Sequence, residues 1–549
     1  MFADPDLSGI VAGLCMFLAG HLAMSLAVAG PERRGTARTR GPLEWCATSL
    51  ILGMSILTTI LVAWIWVFGP LGLGAGRALL GLPALGGLVL LARPSLIGGA
   101  EVRRRFGSGT PADDVRGIAP KTGLEILGFV LLSFATAAVI FTAFSLPVHL
   151  FDPTFHFAYK GQILFTEGFG HEAWTHLDGP VGRVMTHPTY PPGVPALEVL
   201  ASFPRGAFSA TAGRGLMAMF VLAPAAWIYA ALRSNAFRSG TTGRAPALIG
   251  ALLWMCLPIL FYLRLPFENT TMDAARGLLV GPGAASPGEG IEWRTPRGPS
   301  LDGGGDLPLA ALIFGALVHL WRKLPDTRAE SDGADVFFGG LLLGAAVLAK
   351  NEGLALLVCL LAAGALALSA RHLFAELKVS LASIAPFIWA TLIAILMIIP
   401  WFVVKAAIPI VDESYPDLLV PSKLAETLFA HRPSGEMSIT IVAKEFLKTF
   451  CDPLHWSALW ILFFGYLAYA LAKPKRLLSS DAAMPALFVL GGIAVFYLIL
   501  VVTPWSLGQL FTTGIPDRLF LQLAPTAILA TLLIAWPQGS GQDDGPSGE

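Results

Sequence analysis

The sequence is short of charge. Only 13% of its 549 residues are charged and 55% are hydrophobic, which is about half the charged fraction of an ordinary soluble domain. Water cannot solvate a surface this apolar, so the composition predicts a protein embedded in a membrane. Basic and acidic residues are equal in number, 37 each, and this balance gives no general attraction to nucleic acid.

Signatures of several enzyme classes are missing as well. The chain has no phosphate-binding loop ending in Lys-Ser/Thr and no strand, Gly-rich turn and helix unit, which argues against an ATP-driven transporter and a soluble nucleotide-sugar enzyme. Its five cysteines include no metal-type pair, so we expect no disulfide framework. The opening MFADPDLSG is acidic where a signal peptide is basic, and we expect the first apolar run to remain as an anchor.

Long apolar runs fill most of the chain. A helix needs roughly 20 apolar residues to span a bilayer, and by that measure we expect an all-α polytopic membrane protein with about 13 transmembrane helices. The predicted spans are 8–30, 43–68, 70–92, 122–147, 211–233, 246–264, 307–321, 335–349, 353–370, 381–404, 453–472, 484–504 and 517–536.

The basic residues fall in alternate connections between these spans. Loops rich in Lys and Arg are cytoplasmic by the positive-inside rule, which here selects 31–42, 93–121, 233–244, 322–328, 371–378 and 473–476. The same alternation makes 537–549 a polar cytoplasmic tail and puts the N-terminus outside. It also places three long segments on the extracytoplasmic side, 148–210, 265–306 and 405–452.

The first of these segments carries the densest polar chemistry, with five of the ten histidines between 149 and 192. Asp152 precedes Pro153, a pattern typical of a helix start, and the predicted helix runs to about Glu167 along the membrane interface. Asp152 is either only a helix cap or a carboxylate at headgroup depth that can accept a proton from an attacking hydroxyl. We expect the polar residues of this helix to lie off its buried face: Lys160, Gln162 and Thr166.

Short strings further along complete a pattern. The loop acid and interfacial helix are followed by HPTYPP at 187–192, DLPLA at 306–310, AKNEGL at 349–354, and Asp517-Arg518 with Pro525. In this order they resemble the polytopic GT-C glycosyltransferases, which include protein O-mannosyltransferases and the aminoarabinose transferases that act on lipid A. The resemblance covers roughly 122–536 and leaves 1–121 as additional N-terminal spans with a basic cytoplasmic linker.

The resemblance implies an enzyme that takes a sugar from a polyprenyl-phosphate donor on the outer face of the membrane, with the loop acid, here Asp152, as catalytic base. It implies a bacterial inner-membrane location, with the donor, an acceptor and membrane lipids as partners. Two departures are visible: Asp152 is followed by Pro153 and not by a second acid, and three spans precede the family's first helix. These departures leave the subfamily and the acceptor, a lipid, a glycan or a protein, undecided.

Cations are needed where the lipid phosphate leaves the anomeric carbon, because negative charge develops on its oxygens. Lys350 and Arg518 stand at predicted extracytoplasmic ends of spans, and Arg264 is a less favoured third candidate. The alternatives are that Lys350 snorkels or pairs with Glu352 and that Arg518 only anchors a helix end. The predicted substrate contacts are His156, His187, Tyr190, Asp306 and Glu352.

These substrate contacts have alternatives of their own. His187 and Tyr190 also suit a rigid re-entry turn, and Asp306 also suits a helix cap. His149, Asp152 and His156 have a spacing that a divalent cation can use, yet interfacial polar residues explain it more simply. We therefore predict no metal ligands and no required cofactor, with a divalent cation as the open alternative.

Two rival classes remain. A lipid-linked sugar flippase or polytopic transporter needs polar residues near the middle of several spans, whereas here they gather at one predicted face, with His21 and His319 as the main exceptions. A non-catalytic assembly scaffold predicts no dependence on Asp152. For the enzyme, 405–452 is a candidate lid that excludes water.

Overall fold

The computed structural model describes residues 7–28, 42–92, 123–145, 157–171, 174, 189–238, 245–261, 305–321, 333–375, 381–408, 422, 439–502 and 515–536. Within these ranges the chain forms helices and the turns between them, with no β-strand. The α-helices, in chain order, are α1 Ser8–Val28, α2 Pro42–Phe68, α3 Leu73–Ala92, α4 Gly123–Ser145, α5 Tyr159–Thr166, α6 Gly193–Ser202, α7 Ala210–Arg238, α8 Ala245–Met255, α9 Pro258–Phe261, α10 Asp306–Trp321, α11 Gly333–Ala349, α12 Glu352–Ala375, α13 Leu381–Ala407, α14 Ile439–Phe450, α15 Pro453–Trp456, α16 Leu459–Leu471, α17 Pro474–Ser479, α18 Ala483–Val502, α19 Ile515–Leu521 and α20 Ala524–Ala535.

Eight of these helices are long and apolar enough to cross a membrane: α1, α2, α3, α4, α7, α12, α13 and α18. The consecutive helices α19 and α20 pass the same test together as one bent span. The prediction of an all-α integral membrane protein is therefore confirmed. The other predicted spans contain shorter apolar helices, α8, α10, α11 and α16, so the count of about 13 and the GT-C architecture stay predictions.

Helix α10 lies inside the bundle. Every residue from Asp306 to Trp321 is buried, as expected for a helix that is apolar on all sides and surrounded by others. It packs against α7, α11, α12, α19 and α20. Other helices expose large apolar side chains, such as Phe134 of α4 and Leu396 of α13, which suits contact with lipid. The first residue of α10 is thus held at the centre of one end of the bundle.

The last predicted span is broken. Helix α19 ends at Leu521, α20 begins at Ala524, and their axes differ by 54°. Pro525 lies in the first turn of α20; it has no N–H, and its ring would clash with the carbonyl four residues earlier in a continuous helix. Gln522 and Leu523 therefore form a bend inside the bundle.

The candidate lid segment contains an amphipathic helix, α14. Its buried residues Val442, Phe446, Thr449 and Phe450 recur at helical spacing, whereas Lys448 on the other side is exposed. The buried face packs against α18 and α19, which suits a helix lying along the membrane interface. Its action as a lid stays a prediction.

The closest helix contact joins α1 and α2. A Cβ atom added at Gly20 would lie 1.7 Å from the carbonyl oxygen of Ser49, and one added at Gly53 would lie 1.7 Å from that of Met16. Neither position has room for a side chain, because the obstacle in each case is backbone. The two glycines therefore set the distance between these helices.

We expect Gly53→Ala to lower the melting temperature of the detergent-solubilised protein, because separating α1 from α2 costs about 1–3 kcal/mol. Gly465→Ala in α16 is the matched control, since nothing lies within 4 Å of its added Cβ. The control should melt at or slightly above the wild-type temperature, because Ala favours a helix over Gly by about 1 kcal/mol. Equal melting of the two variants, measured by size-exclusion chromatography after heating, would contradict the close α1–α2 contact.

Candidate functional site

Four charged side chains meet where α10, α19 and the junction of α11 with α12 come together. Lys350 Nζ donates to Asp306 Oδ1 at 2.8 Å and lies 2.8 Å from Glu352 Oε1. Arg518 Nε donates to the other oxygen of Asp306, Oδ2, at 2.7 Å. We call these four residues the Asp306 network. In the sequence, Lys350 is 44 residues and Arg518 is 212 residues from Asp306, so the network joins distant parts of the chain.

The α11–α12 junction owes its shape to a glycine. Lys350 follows the last residue of α11, and Glu352 is the first residue of α12. A Cβ at Gly353 would lie 2.2 Å from the carbonyl oxygen of Ala346, so the backbones at this junction can approach this closely only without a side chain there. The junction brings Lys350 and Glu352 together.

The network is buried and balanced in charge. The exposed fraction of the side chains is 7% for Asp306, 5% for Lys350, 16% for Glu352 and 26% for Arg518. Burial alone lowers the pKa of the Lys350 ammonium, but the carboxylates of Asp306 and Glu352 outweigh burial and hold that pKa above its ordinary value. Two carboxylates thus face two cations.

A fifth member was missed in the sequence. Gln522, at the bend between α19 and α20, donates from Nε2 to Asp306 Oδ1 at 2.9 Å, and its side chain is fully buried. Its spacing of four residues from Arg518 is the one available signal, since such residues share a helix face. Asp306 therefore accepts hydrogen bonds from three different side chains.

The loop segment before α6 contributes a buried lysine. Lys160 of α5 is fully buried, and its Nζ lies 5.8 Å from the ring centre of Tyr190 and 6.0 Å from that of Trp174, within the range of a cation–π contact. The prediction that Lys160 lies off the buried face is wrong, because these two aromatic residues cover that side of α5. Gln162 and Thr166 are exposed as predicted.

This loop lies directly against the Asp306 network. A Cβ at Gly305 would be 3.0 Å from Cζ of Phe157 and 3.5 Å from the carbonyl oxygen of Ala349. A Cβ at Gly193 would be only 2.3 Å from the carbonyl oxygen of Leu348. These contacts involve residues one or two positions from the network's aspartate and lysine in the chain.

A second polar cluster contacts α19 at Asp517. His455 Nδ1 is 2.8 Å from Asp452 Oδ2 and 3.8 Å from Asp517 Oδ1. The indole Nε1 of Trp456 donates to Asp517 Oδ1 at 3.3 Å. Because Asp517 directly precedes Arg518, the start of α19 is held from two directions. No local sequence pattern predicts this cluster, since it depends on a contact between distant segments.

An apolar cleft begins beside the network. Its lining includes Thr58 of α2, Gly193 of α6, Pro308 of α10 and Ala349 of α11. The last two are within two residues of Asp306 and Lys350 along the chain. A polar cluster and an apolar cleft side by side suit a ligand that has both kinds of surface.

The predicted site residues divide into three groups. Asp306, Lys350, Glu352 and Arg518 come together, whereas Tyr190 contacts Lys160. The remaining ones, Asp152, His156, His187 and Arg264, lie outside the described residues together with His149, so their roles stay predictions. In the part of the chain that the structure describes, no three His, Cys, Asp or Glu side chains are arranged to hold a metal ion.

The fold and the site define an α-helical integral membrane protein with a buried charge network where helix ends meet. No protein-family model, curated protein or solved structure matches the chain.

Replacing Lys350 by Met should lower the free energy of unfolding by about 3 kcal/mol or more, because two buried carboxylates lose the cation that they share. Lys448→Met is the matched control. Lys448 pairs with Glu445 on α14 but is largely exposed, so its loss should change stability by less than about 1 kcal/mol. Unfolding in mixed detergent micelles measures both, and equal stabilities would contradict a buried network.

Proposed function

We propose that the protein is a GT-C-type glycosyltransferase that moves a sugar from a polyprenyl-phosphate donor to an extracytoplasmic lipid, glycan or protein, with Asp152 as catalytic base. The observation that carries this proposal is the Asp306 network. Its residues come from three separate strings of the family resemblance, 306–310, 349–354 and 517–518, which meet at one place in the fold.

The network suits the leaving group of this reaction. As the bond from the sugar to the phosphate breaks, negative charge grows on the phosphate oxygens, and donors held in place beforehand stabilise it best. Arg518 is the most exposed member of the network, and its guanidinium has five N–H donors, of which the contact with Asp306 uses Nε. We assign the main phosphate contact to Arg518, and a supporting one to Lys350, which also holds Asp306.

The surroundings fit a lipid-linked donor. A small apolar cleft lies beside Pro308 and Ala349; we propose that the polyprenyl chain approaches from this side, while the head group lies at the network. Asp152 is five residues before Phe157, whose ring packs beside Gly305. The proposed base therefore precedes this contact in the chain.

The alternative is a lipid-linked sugar flippase or another polytopic transporter. Such a protein needs polar residues midway along its spans, and His319 was one candidate. His319 Nδ1 lies 2.9 Å from Asp335 Oδ1, near the end of α10 and the start of α11. This pair therefore supports a structural link between helix ends better than a midplane binding site.

Purified protein in liposomes should transfer radiolabelled sugar from a polyprenyl-phosphate monosaccharide to an added lipid, glycan or protein acceptor. The donors are tested as a panel of hexoses and pentoses. Asp152→Asn should reduce the rate about 10²–10⁴-fold, the usual contribution of a general base. Glu167→Gln is the control, because this carboxylate belongs to the same loop and its side chain is 59% exposed.

Undiminished transfer by Asp152→Asn would remove Asp152 from the mechanism. If the wild type transfers no sugar from any donor but moves the labelled lipid between leaflets of the liposome, the transporter alternative replaces the enzyme.

A further inference from the structure

The amide of Gln522 has a fixed orientation. An ionised carboxylate can only accept hydrogen bonds, so the group that faces Asp306 must be the donor Nε2. The amide oxygen Oε1 consequently faces another direction. It is buried, and within the described residues it has no hydrogen-bond partner.

The hydroxyl of Thr526 is buried and makes no hydrogen bond within its own helix. Elsewhere in the helices, hydroxyl groups donate to the carbonyl oxygen four residues earlier, as in Ser55, Thr59, Ser133, Thr136, Thr166, Ser202, Thr391 and Thr531. For Thr526 that carbonyl belongs to Gln522, which lies in the bend. Its Oγ1 is buried without a partner in the described ranges, because the helix is broken at this point.

Glu352 adds a third oxygen of this kind. Its Oε1 faces Lys350, while Oε2 is buried and has no hydrogen-bond partner among the residues described. Glu352, Lys350, Asp306 and Gln522 are connected in series by contacts of 2.8, 2.8 and 2.9 Å. The open oxygens of Glu352 and Gln522 therefore border the same network.

The oxygens of Gln522, Thr526 and Glu352 that are unpaired in the described part of the chain indicate what kind of ligand they can bind. The oxygens of Gln522 and Glu352 can only accept, whereas the Thr526 hydroxyl can donate or accept. Left without partners when buried, all three are unfavourable, so a ligand or water must complete them. With the phosphate at Arg518, a further charged group at these three atoms would have no counter-ion in the buried part of the network. Neutral hydroxyl groups supply the missing donors without adding charge.

We infer that Gln522, Thr526 and Glu352 bind the hydroxyl groups of the transferred sugar at the bend of the last helix. The inference rests on the proposed function and divides the site into two parts. Arg518, at the exposed side, contacts the phosphate, while the bend behind it recognises the sugar. Gln522 and Thr526 are then specificity-determining residues.

Binding of two lipids to the purified protein tests this division. The probes are polyprenyl phosphate alone and a panel of polyprenyl-phosphate hexoses and pentoses. Thr526→Val should weaken binding of the preferred sugar-bearing lipid about 3–10-fold, the effect of one hydrogen bond to a neutral group. This variant should bind polyprenyl phosphate alone within about twofold of wild type, since no contact to the phosphate is lost. Gln522→Met also removes a donor to Asp306, so it should weaken the sugar-bearing lipid at least as much as Thr526→Val does.

Thr531→Val is the matched control. Thr531 lies in the same helix and is buried, but its hydroxyl is satisfied by the carbonyl oxygen of Ala527 at 2.7 Å. Its removal should leave both lipids bound as before. Thr526→Ser, which keeps the hydroxyl, should bind the sugar-bearing lipid like the wild type and serves if Thr526→Val does not fold.

Several outcomes would overturn the inference. Wild-type protein that binds every sugar-bearing lipid no better than polyprenyl phosphate has no sugar site of this kind. If Thr526→Val weakens binding of both lipids equally, the hydroxyl serves the structure of the helix. If it weakens binding of neither lipid, the hydroxyl binds water. If the sugar-dependent loss is observed but wild type transfers no sugar, the sugar site stands and the proposed transferase activity falls.

Discussion

The carboxylate of Asp306 is the contact on which the site depends. An acid at the first position of a fully buried helix is unfavourable unless cations and donors surround it, and Lys350, Arg518 and Gln522 supply them. These partners belong to the α11–α12 junction and to the last span. One side chain therefore fixes how three distant parts of the chain meet, and it does so at the end of the bundle that the first loop covers.

Interrupted helices provide the polar groups around that carboxylate. Pro525 breaks the last span beside Gln522, which donates to Asp306, and Gly353 permits the close junction that brings Lys350 beside Glu352. Irregular backbone at membrane depth is tolerated only where protein or a polar cavity surrounds it. The interruptions and the charged residues thus occur together for a physical reason, since each would be costly without the other.

The sequence predicted the long apolar helices and four residues of the network, because an apolar run indicates a buried or lipid-facing helix and charged residues at its ends are conspicuous. Even the pairing of Lys350 with Glu352 was among its alternatives. It missed Gln522, the burial of Lys160 and the cluster around His455, because helical periodicity shows which face is apolar but not which distant segment covers it. Asp306 and Arg518 are 212 residues apart, and no local pattern encodes their contact.

Charge balance constrains how the proposed reaction would proceed. The donor lipid carries one negative charge on its phosphate, and a second develops as the sugar leaves, yet the charges of the Asp306 network already cancel. Arg518 can meet the growing charge without leaving Asp306, because its planar guanidinium donates in several directions. A site that is neutral at rest would bind the resting donor weakly and the departing phosphate more strongly, and that difference is what accelerates a reaction.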